Sequence, residues 1–213
     1  MKYCFYRMQV DSGFAPNPFY GYCTLAACTP NHMRADLEPC DVIVGVEADG
    51  LVKRRRMAGG SDSITRRCLV YYMVVAEILE LDSYFRDHRF ASKKPDPDSC
   101  RYEQRQGDNA YFKVGNHFRA IPGNAHDNDS SFHQDTKGDR VYISKRNDFY
   151  YFGNAEVEFP LRFEKYLPKG QGIKYWKEPL PELDAYVESA SRAFGKKGRI
   201  GDPINRAVAS SCD

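Results

Sequence analysis

The sequence predicts an α+β domain built on a central mixed β-sheet, with a few short helices and a C-terminal helix. Three observations predict it. Two β-branched, nearly continuous apolar runs, Asp41-Val42-Ile43-Val44-Gly45-Val46 and Cys68 to Ile78, have the character of strands covered on both faces. The opening segment Tyr3 to Val10 alternates, setting Cys4, Tyr6, Met8 and Val10 on one face and Arg7 and Gln9 on the other. Near the end, Pro181 to Gly195 carries Leu183, Tyr186, Val187, Ala190 and Phe194 on one helical stripe, with proline at its start and glycine as its stop.

The remaining elements follow in order. Asp11 to Gly21 holds two prolines and two glycines, which forbid regular structure and force a rigid loop studded with aromatics. A short helix is expected near Asn31 to Leu37. Lys53-Arg54-Arg55-Arg56-Met57-Ala58-Gly59-Gly60-Ser61, with Arg66 and Arg67 beyond, reads as an exposed basic loop between the two central strands. Leu81 to Phe90 offers a capped helical turn with Tyr84, Phe85 and Phe90 inward, ended by Lys94-Pro95-Asp96-Pro97. Two long polar loops follow, at about 92–109 and 115–140, of the kind that carry function in compact domains. Arg140 to Ser144 and Phe149 to Gly153 read as two strand pieces separated by the polar insert Lys145-Arg146-Asn147.

Size and composition bound the biology. With 213 residues, 42% of them hydrophobic, the chain 1–213 is expected to form one domain with a real core. It shows neither an apolar run of membrane-spanning length nor the apolar stretch of a signal peptide, which points to a cytoplasmic protein with no membrane partner. Seven cysteines with no CxxC pair suit a reducing compartment better than a disulfide framework or a zinc ribbon. Thirty-one basic against 29 acidic residues exclude a strongly polycationic nucleic-acid binder, so any phosphate contact must be local. Lys53, Arg54, Arg55, Arg56, Arg66 and Arg67 are the candidates for it, the alternative being a solvated surface loop.

The second polar loop holds the densest chemistry: His117, His126, Asp127, Asp129, His133, Asp135 and Asp139. Three readings compete. A metal site lacks HExxH or CxxC spacing, and no metal or cofactor is expected. A catalytic site would use an aspartate or histidine to activate water, with Asp108, His126, His133 and Asp135 as candidates. The third is a hydrated loop whose Asx and Ser side chains support turns. No serine elbow, Walker loop or GxGxxG segment is present, which counts against hydrolase triads, nucleoside triphosphatases and dinucleotide enzymes.

Specific residues carry a resemblance. Asp11, Gly13-Phe14-Ala15-Pro16-Asn17-Pro18-Phe19, Gly21, Cys23-Thr24-Leu25-Ala26, Cys28 and Pro30, then Asp41 to Gly45, resemble the opening of the second nucleotide modification associated domain family. The likeness continues through Asp87, Arg89-Phe90, Lys93-Lys94-Pro95, Gly107-Asp108-Asn109-Ala110-Tyr111, His133, Asp135-Thr136, Asp139 to Ser144, Phe149 to Gly153 and Gly201-Asp202-Pro203. It implies a prokaryotic or phage setting concerned with modified DNA bases, including anti-phage defence, and supplies no mechanism. The chain departs from the family pattern at Lys53 to Arg56, Arg66-Arg67 and Lys145 to Asn147, so roles there are particular to this chain. A fainter likeness to EVE and other PUA-like domains, which hold a flipped base, implies a barrel-like sheet.

The resemblance implies DNA carrying modified bases as the partner. Two functions share one pocket. A base reader would flip its target against aromatic and polar groups, assigned to Phe14, Asn17, Phe19 and Tyr20 with Asn109, Tyr111, His126 and Tyr151. A base-excising, glycosylase-like enzyme would add an ionisable group, assigned to Asp108, His133 and Asp135. Against both stands the possibility that the proline-rich loop is a plug whose aromatics simply pack inward. A plain interaction protein would leave the His/Asp loop without purpose. The oligomeric state is open.

Overall fold

The computed structural model describes residues 1–27, 35–170 and 172–206. Its main sheet has the spatial order β2-β7-β4-β3-β1-β8, from strands β1 (Tyr3–Met8), β2 (Thr24–Leu25), β3 (Val42–Glu47), β4 (Leu69–Leu79), β7 (Val141–Tyr151) and β8 (Ile173–Trp176); β9 (Gly198–Arg199) also pairs with β7. β1 runs parallel to β3 and β9 parallel to β7, while the other pairings are antiparallel, so the sheet is mixed and curls into a half-barrel. A separate hairpin joins β5 (Tyr111–Val114) to β6 (His117–Ala120).

The apolar runs become the inner strands because both sheet faces are covered. In β1, Tyr3 and Phe5 enter one core with Val42, Val44, Leu183 and Val187, while Cys4, Tyr6 and Met8 enter a second with Ile43, Tyr71 and Met73. The expected one-sided β1 is thus buried on both sides. The C-terminal helix (Pro181–Ala193) forms as its stripe predicts and supplies Leu183 and Val187 to the first core. A third core lies under the hairpin and gathers Phe14, Tyr84, Phe90, Tyr111, Val141 and Ile143.

Several expectations are corrected. The basic segment is not a loop: residues Asp49–Met57 form helix α1, which turns inward only Leu51 and Arg55, one turn apart. Both long loops contain elements. Residues 92–109 include the end of a 3₁₀ turn (His88–Lys93) and helix α3 (Tyr102–Arg105), and 115–140 include β6 and helix α4 (Asp129–Asp135). The helical turn at Leu81 splits into α2 (Leu81–Arg86) and that 3₁₀ turn, with Tyr84 and Phe90 buried and Phe85 half-buried against Phe112. The two strand pieces around Lys145 are one strand, β7, whose register against β4 shifts between Met73 and Val75 so that the polar insert stays in the strand, exposed. Of the helix expected near Asn31 to Leu37, residues 31–34 lie outside the described residues, and Ala35 to Leu37 are not helical. The C-terminal helix is hereafter α5.

Candidate functional site

The proline-rich loop is tied into the protein through Asp11 and Asn17. Asn17 pairs with Thr24 through both backbone amides, at 2.8 and 3.0 Å. The Lys93 ammonium donates to the Asn17 carbonyl at 3.0 Å and to its Oδ1 at 2.6 Å, and Asn17 Nδ2 donates to the Gln106 carbonyl at 2.8 Å. Asp11 accepts from the Tyr151 hydroxyl and from the Ile204 amide, tying the loop's start to the chain's last described segment. Phe14, Asn17 and Phe19 are buried, and only Tyr20, at 39% exposure and with a left-handed backbone (φ 59°), faces solvent. The loop's aromatics therefore fill a core, as in the plug reading, and do not form an open stacking surface.

Behind that loop runs a buried polar seam. Asp108 is fully enclosed and accepts from Thr24 Oγ1 at 2.6 Å and from the Tyr84 hydroxyl at 2.8 Å. Burial raises its pKa above the usual carboxylate value, opposed by nearby Lys93. Burial also lowers the Lys93 ammonium to about 8. Asn109 Nδ2 bonds the carbonyls of Tyr84 and Phe90. Asp108, Asn109 and Lys93 thus join the opening loop to α2 and the 3₁₀ turn, and all three are buried.

The second polar segment does meet the opening loop. The Phe14 ring lies 4.3 Å, centroid to centroid, from the imidazole of His126. His126 Nδ1 sits 2.8 Å from Asp135 Oδ2, and the Tyr111 hydroxyl donates to that same oxygen at 2.6 Å. Asp135 is 1% exposed, held inward on α4, whose N-terminus is capped by Asn128 accepting from the Ser131 amide. The contact of Nδ1 with this enclosed carboxylate holds the imidazole in one orientation. His126 in turn lines a cleft of about 420 Å³ between β6 and α4, walled by the half-buried rings of Phe118 and Phe132 and by Asn124, Asp127 and Asn128.

Of the expected site residues, the fold therefore unites Phe14, Tyr111, His126 and Asp135. It does not unite the expected catalytic trio: Asp108 lies in the buried seam, and His133, two residues before Asp135 on α4, is exposed on a different face of the helix. Tyr151 is buried against Asp11. Among the expected phosphate contacts, Arg55 is excluded by its position: it is 2% exposed and spans Glu47 at 2.8 Å and Glu156 at 3.0 Å. Arg54 lies within 3.5 Å of the Gln9 carbonyl. Lys53, Arg56, Arg66 and Arg67 line a separate groove.

The family profile described as nucleotide modification associated domain 2 matches residues 1–210. The chain belongs to that family. The comparison with curated proteins and that with solved structures gave no match. For this nucleotide modification associated domain, family membership ties the chain to nucleotide modification. No helix among the described residues is long and apolar enough to cross a membrane. Nor, among the described residues, do three or more His, Cys, Asp or Glu side chains gather as metal ligands.

Sequence reasoning missed Phe118, Phe132, Asn124 and Asn128 as cleft residues and Lys93, Thr24 and Tyr84 as the partners of Asp108 and Asn17. A signal existed for the cleft: Asn128 followed by Ser130-Ser131 marks a helix start, and that helix carries Phe132 and Asp135 three apart on one side. Nothing in the spacing of Lys93 announces that its amine is enclosed.

Proposed function

We propose that this domain recognises a modified nucleobase in DNA, seated in the cleft between β6 and α4. The observation that carries the reading is the fixed imidazole of His126, braced by Phe14 on its face and by buried Asp135 on Nδ1, at the wall of a cleft flanked by two phenyl rings. A flipped base needs apolar walls and a few oriented polar groups for its edge. Phe118 and Phe132 supply the walls; His126 and exposed Asn128 supply polar groups, while Asn124, whose amide is used by Ile121 and His126, shapes the turn between them. A rigid polar group discriminates better than a mobile one, because a base lacking the matching group leaves it unpaired. Base recognition of this kind suits a DNA-modification or anti-phage setting.

The two carboxylates expected to be catalytic count against excision: both are enclosed and engaged by hydroxyl groups, Asp108 by Thr24 and Tyr84 and Asp135 by Tyr111, so neither faces a base in the cleft. Asp127 and Asp129, which do line the cleft and are exposed, leave excision as the second reading. Oligonucleotides carrying 5-hydroxymethylcytosine, 5-methylcytosine or N6-methyladenine, each matched to an unmodified duplex and single strand, test the reading by fluorescence anisotropy. At least one modification is expected to bind about tenfold more tightly and to be recovered intact by mass spectrometry. Equal affinity across the set overturns the proposal, and abasic or altered product would replace it with the enzymatic reading.

A further inference from the structure

Positive charge is concentrated in one short stretch of this chain. Six of its 31 basic residues but only two of its 29 acidic ones fall within residues 49–67, so the rest of the molecule carries a net charge of −2 although the whole is +2. The fold turns that stretch from a floppy connector into a built surface. On α1, Asp49, Val52, Lys53 and Arg56 recur at the spacing of one helix face, and they line a groove of about 480 Å³ whose far wall is Thr65, Arg66, Arg67 and Glu164.

The wall residues are held in place. Arg56 donates to the Thr65 carbonyl at 3.0 Å, which ties α1 to the segment carrying Arg66 and Arg67. Arg67 donates to the Glu47 carbonyl at 3.0 Å and pairs with Asp49, so the groove's nearest carboxylate is already engaged. Arg66 stands 3.5 Å from Glu158 and is half exposed. Buried Arg55, paired with Glu47 and Glu156, pins α1 to the sheet, so the exposed cations project from a rigid helix. Guanidinium and ammonium groups converging on a concave surface match the oxygens of successive phosphodiesters, which present charge at regular spacing and ask for no base contact.

We propose that Lys53, Arg56, Arg66 and Arg67 form a docking groove for the phosphodiester backbone of a nucleic acid. It would supply sequence-independent affinity and steer a polyanion onto a protein whose remaining surface does not attract one. The inference relies on the cleft reading only for the choice of DNA as the polymer, and the groove acts on unmodified DNA as well.

The test is the salt dependence of binding to a plain 20-base-pair duplex and to the matching single strand, for the wild type and for Lys53→Gln/Arg56→Gln. Neutralising cations that contact phosphate reduces the slope of log K against log salt by about 0.9 per contact on duplex DNA. The expected result is a slope smaller by about 1 to 2 and an affinity roughly tenfold weaker or more at low salt. Lys197→Gln, an exposed cation elsewhere, serves as control and should leave both unchanged. Thermal melting checks that each variant folds, and Arg66→Gln, outside α1, repeats the measurement should the double variant melt early. An unchanged slope in both groove variants overturns the proposal. So does loss of binding to phosphatidylserine vesicles with DNA binding intact, which would assign the groove to a membrane surface. The cleft variant Phe132→Ala should keep the full salt slope on plain DNA, so failure of the cleft reading and failure of the groove show up separately.

Discussion

Phe14 and His126, 112 positions apart in the chain, lie 4.3 Å apart, centroid to centroid, with their rings tilted by 37°, and this contact joins the proline-rich loop to the His/Asp-rich segment. The loop backs the cleft, while the residues that line it come from β6, α4 and the turn between them.

The first prediction concerns the brace behind the imidazole. Asp135→Ala removes the acceptor shared by the Tyr111 hydroxyl and His126 Nδ1, and losing buried partners of this kind costs about 1–3 kcal/mol. Chemical denaturation should show that loss. Affinity for a modified oligonucleotide should fall with it, whereas His133→Ala, on the exposed face of α4, should alter neither. An effect of His133→Ala equal to that of Asp135→Ala would contradict the assignment.

Arg55 separates the structural cations from the exposed ones. Arg55→Met leaves Glu47, which is fully buried, without its charge partner, and breaking one side of such a pair costs about 3–5 kcal/mol. The denaturation midpoint should fall sharply, while DNA affinity of the fraction that remains folded should match the wild type.

Gly45 is required by space. A Cβ there would lie 2.4 Å from Tyr71 Cε1 and 2.7 Å from Met8 Sδ, in the middle of the second core. Gly45→Ala should destabilise by about 1–3 kcal/mol through overpacking, read as a lower melting temperature. A neutral substitution would show that Tyr71 can move aside.

Asp11 gives the fold a pH dependence of known sign. Burial pushes its carboxyl up to about 6 from the usual 3.8, so between those values the folded protein keeps a proton that the unfolded chain has lost. Its contribution to stability is full below about pH 4 and is lost as pH rises through about 6, a change of at most about 3 kcal/mol. Stability measured at pH 4, 5, 6 and 7 should therefore shift in favour of Asp11→Asn relative to the wild type as pH increases. A difference that stays constant over that range would show that Asp11 does not titrate with folding.

How far the sequence carried depended on whether a residue's role follows from its neighbours along the chain. β3, β4 and α5 were legible because Val42 to Val46, Leu69 to Val75 and the Leu183-Val187 stripe each state a period and a burial in a few residues. Helix α1 was not, because its inward face is Leu51 and Arg55, and a buried arginine looks no different from exposed Arg54 and Arg56 until Glu47 and Glu156 arrive from distant strands. The site was half legible. His126 and Asp135 stood out by residue type, yet pairing Asp135 with His126 and not with nearer His133 depends on α4, which turns positions 133 and 135 to different faces. Phe118 and Phe132 carry no mark of a cleft in the sequence, and only the packing of β6 beside α4 leaves them half-buried along one.

Recognition as proposed requires the cleft to seat a base. The most direct measurement is the ratio of affinities for a modified oligonucleotide and its plain counterpart, titrated against the wild type, Phe132→Ala and His126→Ala at one salt concentration. A ratio near ten in the wild type that collapses towards one in both variants, with plain-DNA binding unchanged, is the predicted result. A ratio that persists in both folded variants would place recognition somewhere other than the cleft between β6 and α4.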